Sequence, residues 1–193
     1  MGRSGPSPLI LASASPQRRA ILARLGVVFD ARPTHVDELE AGEPHAVARE
    51  NALRKARAAA TGLASSEQAA LVLGVDTLVA LDGAIYGKPA SAEEARATLA
   101  ALSAATHDVV SGLAIIENGT TEVATAVTRV TFRRLDEAFI HWYVGLGEWQ
   151  GRAGGYAIQE AGGALVRSID GDYLNVVGLP VALLLDRRPH LLR

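Results

Sequence analysis

The chain predicts an α/β fold built on a mixed sheet, and three observations carry that prediction. Asp82-Gly83 and Asn118-Gly119 are hairpin turns between apolar runs, which bring antiparallel strands together. Helix-start signals, Ser15-Pro16 and the capping box Ser91-Ala92-Glu93-Glu94, alternate with those runs. The capping-box helix and the hairpin before it are expected to build a second lobe, leaving a central cleft between two lobes.

The elements follow in order. Leu9–Leu11 is a short apolar strand, and a helix opens at Pro16 behind the N-cap Ser15 and stops at Gly26. Residues 27–31 read as a strand, residues 33–40 as a polar connection, and residues 45–60 as a second helix ending near Gly62. Residues 64–70 read as a loop. Residues 71–80 form a buried strand that Asp76-Thr77 interrupts, and the hairpin returns through Ile85-Tyr86 to Gly87-Lys88-Pro89. The capping-box helix runs to Leu102. Residues 109–116 and 121–132 make a long antiparallel pair, and Asp136 caps a helix over residues 137–144 that carries Trp142. A glycine-punctuated stretch, residues 151–163, precedes a strand at 164–169 and a turn at Asp170-Gly171. Gly178-Leu179-Pro180 then leads into a final helix.

Composition narrows the function. The chain has 193 residues and a formal net charge of −2, so it has no basic stripe to displace counterions from nucleic acid. Any anion site must be local. The absence of cysteine excludes disulfides, thiol nucleophiles and thiolate metal sites. No apolar run is long enough to span a bilayer, and the start has no signal core, so a cytoplasmic protein with a flexible lead-in at residues 1–8 is expected.

Several residues are candidates for chemistry. The helix beginning at Ser15 presents free N–H groups and a positive dipole end, which favour an anion. Arg18 falls on the stripe of Ile21, Leu22 and Leu25 that the helix buries, so it reaches into the fold, either as an anion ligand or as a snorkelling side chain. Asp76 sits among Leu71, Val72, Leu73, Val75, Leu78 and Val79, where a carboxylate needs a cation or donors. It reads either as a bulge between two strands or as a metal ligand or general base. Asn51 and Lys55 lie one turn apart among small residues, which gives the lysine room to extend towards a buried anion. Lys88 closes the hairpin that begins at Asp76. Asp37 and Glu38 offer carboxylates in an irregular segment, and His107 reads as structural. Gly154-Gly155-Tyr156-Ala157-Ile158-Gln159 reads as a backbone bend that either packs or faces a flat ligand, with Gln159 offering both donor and acceptor.

Taken together, Ser13-Ala14-Ser15-Pro16-Gln17-Arg18-Arg19, Asn51-Ala52-Leu53-Arg54-Lys55-Ala56, Gly74-Val75-Asp76-Thr77, Gly87-Lys88-Pro89, the bend at 153–159 and Asn175-Val176-Val177-Gly178-Leu179-Pro180 resemble the Maf family, over residues 9–192. The resemblance implies a single domain of two lobes, residues 9–193, with a twisted sheet flanked by helices, as in inosine triphosphate pyrophosphatase. It also implies a nucleoside triphosphate pyrophosphatase acting on dTTP, UTP or modified pyrimidine nucleotides, a divalent cation (Mg²⁺ or Mn²⁺), no nucleic-acid or membrane partner, a possible homodimer, and a historical link to septum formation. Asp76 matches the family's general base and Arg18, Lys55 and Lys88 its triphosphate-binding residues. Glu38 matches a carboxylate that joins Asp76 at the metal. Thr77 and Gln159 match positions that bear on base choice, and the Tyr-Ala-Ile-Gln run resembles the branch acting on dTTP and UTP. Ser13, Ser15, Gln17 and Asn51 complete the candidate substrate-binding set. Gln17 stands where that branch carries arginine, and Gly151-Arg152 stands where the family has Asp-Lys. A nucleotide-sensing regulator of division without turnover is the alternative, since it would need the basic pocket but no water-activating acid.

Overall fold

The computed structural model describes residues 9–192, so the lead-in expected at residues 1–8 lies outside the described residues. Strand β1 (Leu9–Leu11) lies between β2 (Phe29–Ala31) and β3 (Leu71–Leu81) and runs parallel to both. From β3 onwards pairing is antiparallel. The short β4 (Ala84–Tyr86) folds back on one edge of β3, and β5 (Thr106–Glu117) runs along the other. Then β6 (Thr120–Phe132) and β7 (Val166–Asp170) complete a seven-stranded mixed sheet in the order β2-β1-β3-β5-β6-β7.

Helices cover both faces. Helix α1 (Pro16–Arg24) starts where Ser15 Oγ accepts the Arg18 N–H, satisfying one of the free donors of the first turn. Helix α2 (Pro44–Thr61) starts one residue earlier than expected because Glu43 caps it, accepting from the N–H groups of His45 and Ala46. Helix α3 (Ala92–Leu102) is capped by Ser91, but the Glu94 carboxylate reaches the N–H of Ala90 rather than that of Ser91. Asp136 caps α4 (Glu137–Gly145) as expected. Two further helices, α5 (Tyr173–Val177) and α6 (Val181–Arg187), close the chain, and the first of these carries no sequence expectation.

Side chains of β3 alternate between two faces. Leu71, Leu73 and Val75 pack with Ile21 and Leu22 of α1 and Leu184 of α6, while Val72 packs with Ala52 and Ala56 of α2. Helix α2 lies unusually close to the sheet because two glycines admit it. A Cβ on Gly74 would sit 2.2 Å from the Ala52 carbonyl oxygen, and one on Gly112 only 2.0 Å from that of Ala48. A separate core forms at the other end of the sheet, where Leu99 and Leu102 of α3 and Ile140 and Tyr143 of α4 meet Val109, Val130, Phe132 and Tyr156. The capping-box helix thus packs into this second cluster.

Four expectations need correction. The strand at 71–80 is not interrupted: β3 runs straight through Asp76 and Thr77, which pair with Gly112 and Ser111 of β5, so the bulge reading fails. The strand expected at 27–31 begins at Phe29, because the Val27 N–H turns back to the Leu22 carbonyl. The loop at 64–70 contains a 3₁₀ turn, Ser65–Glu67. The strand expected at 164–169 begins at Val166, because Ala161–Leu165 forms another such turn. Among the described residues, no helix is long and apolar enough to cross a membrane.

Candidate active site

A cleft of about 1270 Å³ opens beside the middle of β3, lined by residues from both cores. Asp76 lies on the face of β3 that meets α2, next after Val72 and Gly74 on that face. The close approach of α2 brings Lys55 Nζ to 2.6 Å from Asp76 Oδ1 and Asn51 Nδ2 to 3.1 Å from Asp76 Oδ2. Both carboxylate oxygens are thus engaged, and Asp76, Asn51 and Lys55 are all buried. Burial pushes the Asp76 carboxyl up. The Lys55 charge and hydrogen bond, the Asn51 amide and the Arg18 charge together outweigh it and hold the carboxyl below its ordinary range. Asp76 is therefore an anion at neutral pH.

Asn51 also pins the irregular segment ahead of α2. Its Oδ1 accepts the Leu39 N–H at 2.8 Å, and its Nδ2 donates to the Leu39 carbonyl at 3.0 Å. Arg54 donates to the Asp37 carbonyl from the same helix. Glu38 is held between these anchors, and its Oε2 lies 2.9 Å from Lys55 Nζ. Two carboxylates therefore converge on one cationic nitrogen.

The other face of β3 carries Thr77. Its Oγ1 accepts from Arg18 Nη2 at 3.3 Å and shares a hydrogen bond with Ser111 Oγ at 2.8 Å. Arg18 is buried, as its place on the α1 stripe predicts. It donates to the Gly178 carbonyl through Nε and to Ser13 Oγ through Nη1, at 2.8 and 2.9 Å. Burial pulls the guanidinium below its ordinary range, while the Asp76 and Glu38 charges pull it back up. Ser13 Oγ also accepts the Ser15 N–H, and Ser15 Oγ donates to Gln17 Oε1. The start of α1 is thus a fixed turn of N–H groups and hydroxyls facing the cleft.

Lys88 reaches the same cleft but stays exposed, with no ion pair to Asp76 or to any other described residue. Its segment is tied to the glycine bend by a bond from the Gly154 N–H to the Gly87 carbonyl. That bend needs glycine: Gly154 has φ of 68°, and a Cβ there would sit 2.8 Å from Val79 Cγ2. Beyond it, the Ala157 N–H bonds to Tyr143 Oη, and Gln159 lines the cleft, half-buried. His107, expected to be structural, is buried behind this wall with Nε2 3.0 Å from Tyr156 Oη. All eleven candidate site residues thus line one cleft. Thr34 and Arg152 line it as well; the sequence marks Arg152 only as a departure from the family's Asp-Lys and carries no signal for Thr34.

Glu38 and Asp76 are hard oxygen donors of the type that suits Mg²⁺ or Mn²⁺, and the point on which they converge is held by the Lys55 ammonium. No group of three or more His, Cys, Asp or Glu gathers among the described residues, so the protein's side chains alone do not make a full cage. The ionised Asp76, a second carboxylate in Glu38, two buried cations and a helix start surround one cleft, an arrangement with the chemistry of a polyphosphate site. The chain belongs to the Maf family: the family model described as Maf-like protein matches residues 8–187. A dTTP/UTP pyrophosphatase of Moorella thermoacetica is 48% identical over 179 residues, covering 91% of this chain and 90% of that protein. One of Pyrococcus furiosus is 42% identical over 177 residues, covering 92% of each. A HAM1 protein structure from Coxiella burnetii aligns with 66% of this chain and 74% of its own at 24% identity and a TM-score of 0.47.

Proposed function

We propose that this chain is a nucleoside triphosphate pyrophosphatase that hydrolyses dTTP and UTP between the α and β phosphates. The relatives' printed activity supports the substrate, and one observation supports the chemistry. Asp76, ionised and backed by Lys55 at 2.6 Å, stands in a cleft whose other groups are suited to phosphate. A triphosphate carries about four negative charges near neutral pH, and attack at the α phosphorus places more on its oxygens. Arg18, Lys55, Lys88 and the start of α1 offset that charge and hold the leaving pyrophosphate. Asp76 orients the attacking water and takes its proton. No covalent intermediate is involved, since water is the nucleophile.

Asn51 holds Asp76 and the Glu38 segment in register, and Thr77 fixes Arg18. A divalent cation held by Glu38 and Asp76 would supply Lewis-acid compensation for phosphate charge. The reading places the enzyme in the cytoplasm, where nucleoside triphosphates are used, as one domain of two lobes around the cleft.

The test is incubation with UTP, dTTP, CTP and GTP plus Mg²⁺, with pyrophosphate and orthophosphate assayed separately. Pyrophosphate from UTP and dTTP is expected, and Asp76→Asn should lower turnover roughly 10²-fold or more. Orthophosphate as the only inorganic product, or near wild-type turnover in the variant, would overturn the reading.

A further inference from the structure

Among the described residues, four buried side-chain polar atoms have no hydrogen-bond partner, and two of them, Thr34 Oγ1 and Arg152 Nε, belong to residues that line the cleft. Arg152 is the more telling. Its chain is half-buried, Nε is sealed from solvent, and its guanidinium makes no hydrogen bond or ion pair with any described residue. Nε is closed off from any ligand as well as from water, but the two Nη groups are neither sealed nor bonded to any described residue, so they are free to meet an acceptor in the cleft. Its main chain is fixed on both sides, with its N–H bonded to the Trp149 carbonyl and its own carbonyl accepting from Gly155. It therefore projects from a rigid turn beside the wall that carries Gln159.

We infer that Arg152 reads the base, donating to the C4 carbonyl oxygen of a uracil or thymine ring. This rests on the proposed pyrophosphatase reading. The phosphates are accounted for by Arg18, Lys55, Lys88 and the start of α1, all but Lys88 belonging with the first core. Arg152 belongs to the segment that packs into the second core. A pyrimidine reaching that wall from phosphates on the other presents its edge remote from the sugar, which is C4 rather than C2. Guanidinium is donor-only, so it pairs with the O4 acceptor of uracil and thymine and opposes the amino donor that cytosine carries at the same position.

The experiment compares UTP with CTP. Arg152→Met keeps much of the stem and removes every donor, and Arg152→Lys restores one. The ratio of kcat/KM for UTP over CTP should fall about tenfold or more in the methionine variant, within the range a specific base contact supplies. The lysine variant should recover part of it, and the Kd for pyrophosphate should not move in either. Equal losses for UTP and CTP with weakened pyrophosphate binding would make Arg152 a phosphate contact and overturn the inference, as would an unchanged ratio. Calorimetric binding of the α,β-methylene analogues of UTP and CTP reads the same preference without turnover. A chain that fails to hydrolyse yet shows the Arg152-dependent binding ratio would sink the proposed reaction and leave the base contact standing.

Discussion

At the scale of single residues, each polar group in the cleft is placed by something packed behind it. Lys55 extends towards Asp76 because Ala52, Ala56 and Ala59 leave space along α2, and its ammonium has two carboxylates to meet. Arg18 and Asp76 were both legible in the sequence, one from its place on a buried stripe and the other as a lone acid among aliphatics. Arg152 stands out in the sequence only as a departure from the family's Asp-Lys, since the signal for a ligand contact is a partner that is missing in three dimensions. His107 is structural, as the sequence suggests, and the fold adds a pH dependence. Burial lowers its pKa from 6.5 to about 4, so the folded state excludes the charged ring. A depressed folded value means that its contribution is fully present above pH 6.5 and is lost as the pH falls from there towards 4. The difference corresponds to about 3 kcal/mol. His107→Gln keeps an N–H for Tyr156 Oη but does not titrate. Its melting temperature should therefore fall less than that of the wild type between pH 7 and pH 4. Parallel falls would remove His107 from the acid response.

At the scale of elements, the active geometry depends on how closely α2 sits on the sheet. Gly74 and Gly112 occupy adjacent strands beneath it, and the Ala48 carbonyl lies where a Gly112 side chain would be. Gly112→Ala must push the helix outwards, since the obstacle is backbone and cannot rotate away. Because Gly112 pairs with Asp76 across the ladder, the displacement falls where Lys55 meets the carboxylate. The variant should lose about 1–3 kcal/mol of stability, as overpacking typically costs, and lose turnover beyond what its folded fraction explains. Urea melts alongside pyrophosphate assays check this, and full activity in the folded fraction would contradict it. Strands and capped helices were legible because turns and caps are local chemistry. The continuity of β3 was not, because the partners that let Asp76 stay in a strand lie on α2 and β5, far away in the chain. The five-residue α5 escaped for a similar reason. Its cap Asp172 bonds both to the Leu174 N–H and to that of Ala182, at the start of α6.

At the scale of the whole molecule, a chain with a formal net charge of −2 sets four basic side chains, Arg18, Lys55, Lys88 and Arg152, against the acids Asp37, Glu38, Glu40 and Asp76 around one cleft. The first core positions Arg18 on α1, Lys55 on α2 and Asp76 on β3. The second core carries the glycine bend and the wall that ends at Gln159. Each set is incomplete without the other, and their meeting at one cleft explains why six short and individually weak motifs are spread over nearly the whole chain. The family resemblance supplied that convergence from the sequence. Physical reading alone reached only the separate pieces, because long-range closure leaves no local pattern.

The central claim is that Asp76 directs water to the α phosphorus. Hydrolysis of UTP in ¹⁸O-labelled water, with the products resolved by ³¹P NMR, tests it most directly. The account predicts one labelled oxygen in the nucleoside monophosphate and unlabelled pyrophosphate, with the signal lost in Asp76→Asn. Label in the pyrophosphate, or release of orthophosphate alone, would place the attack elsewhere and contradict it.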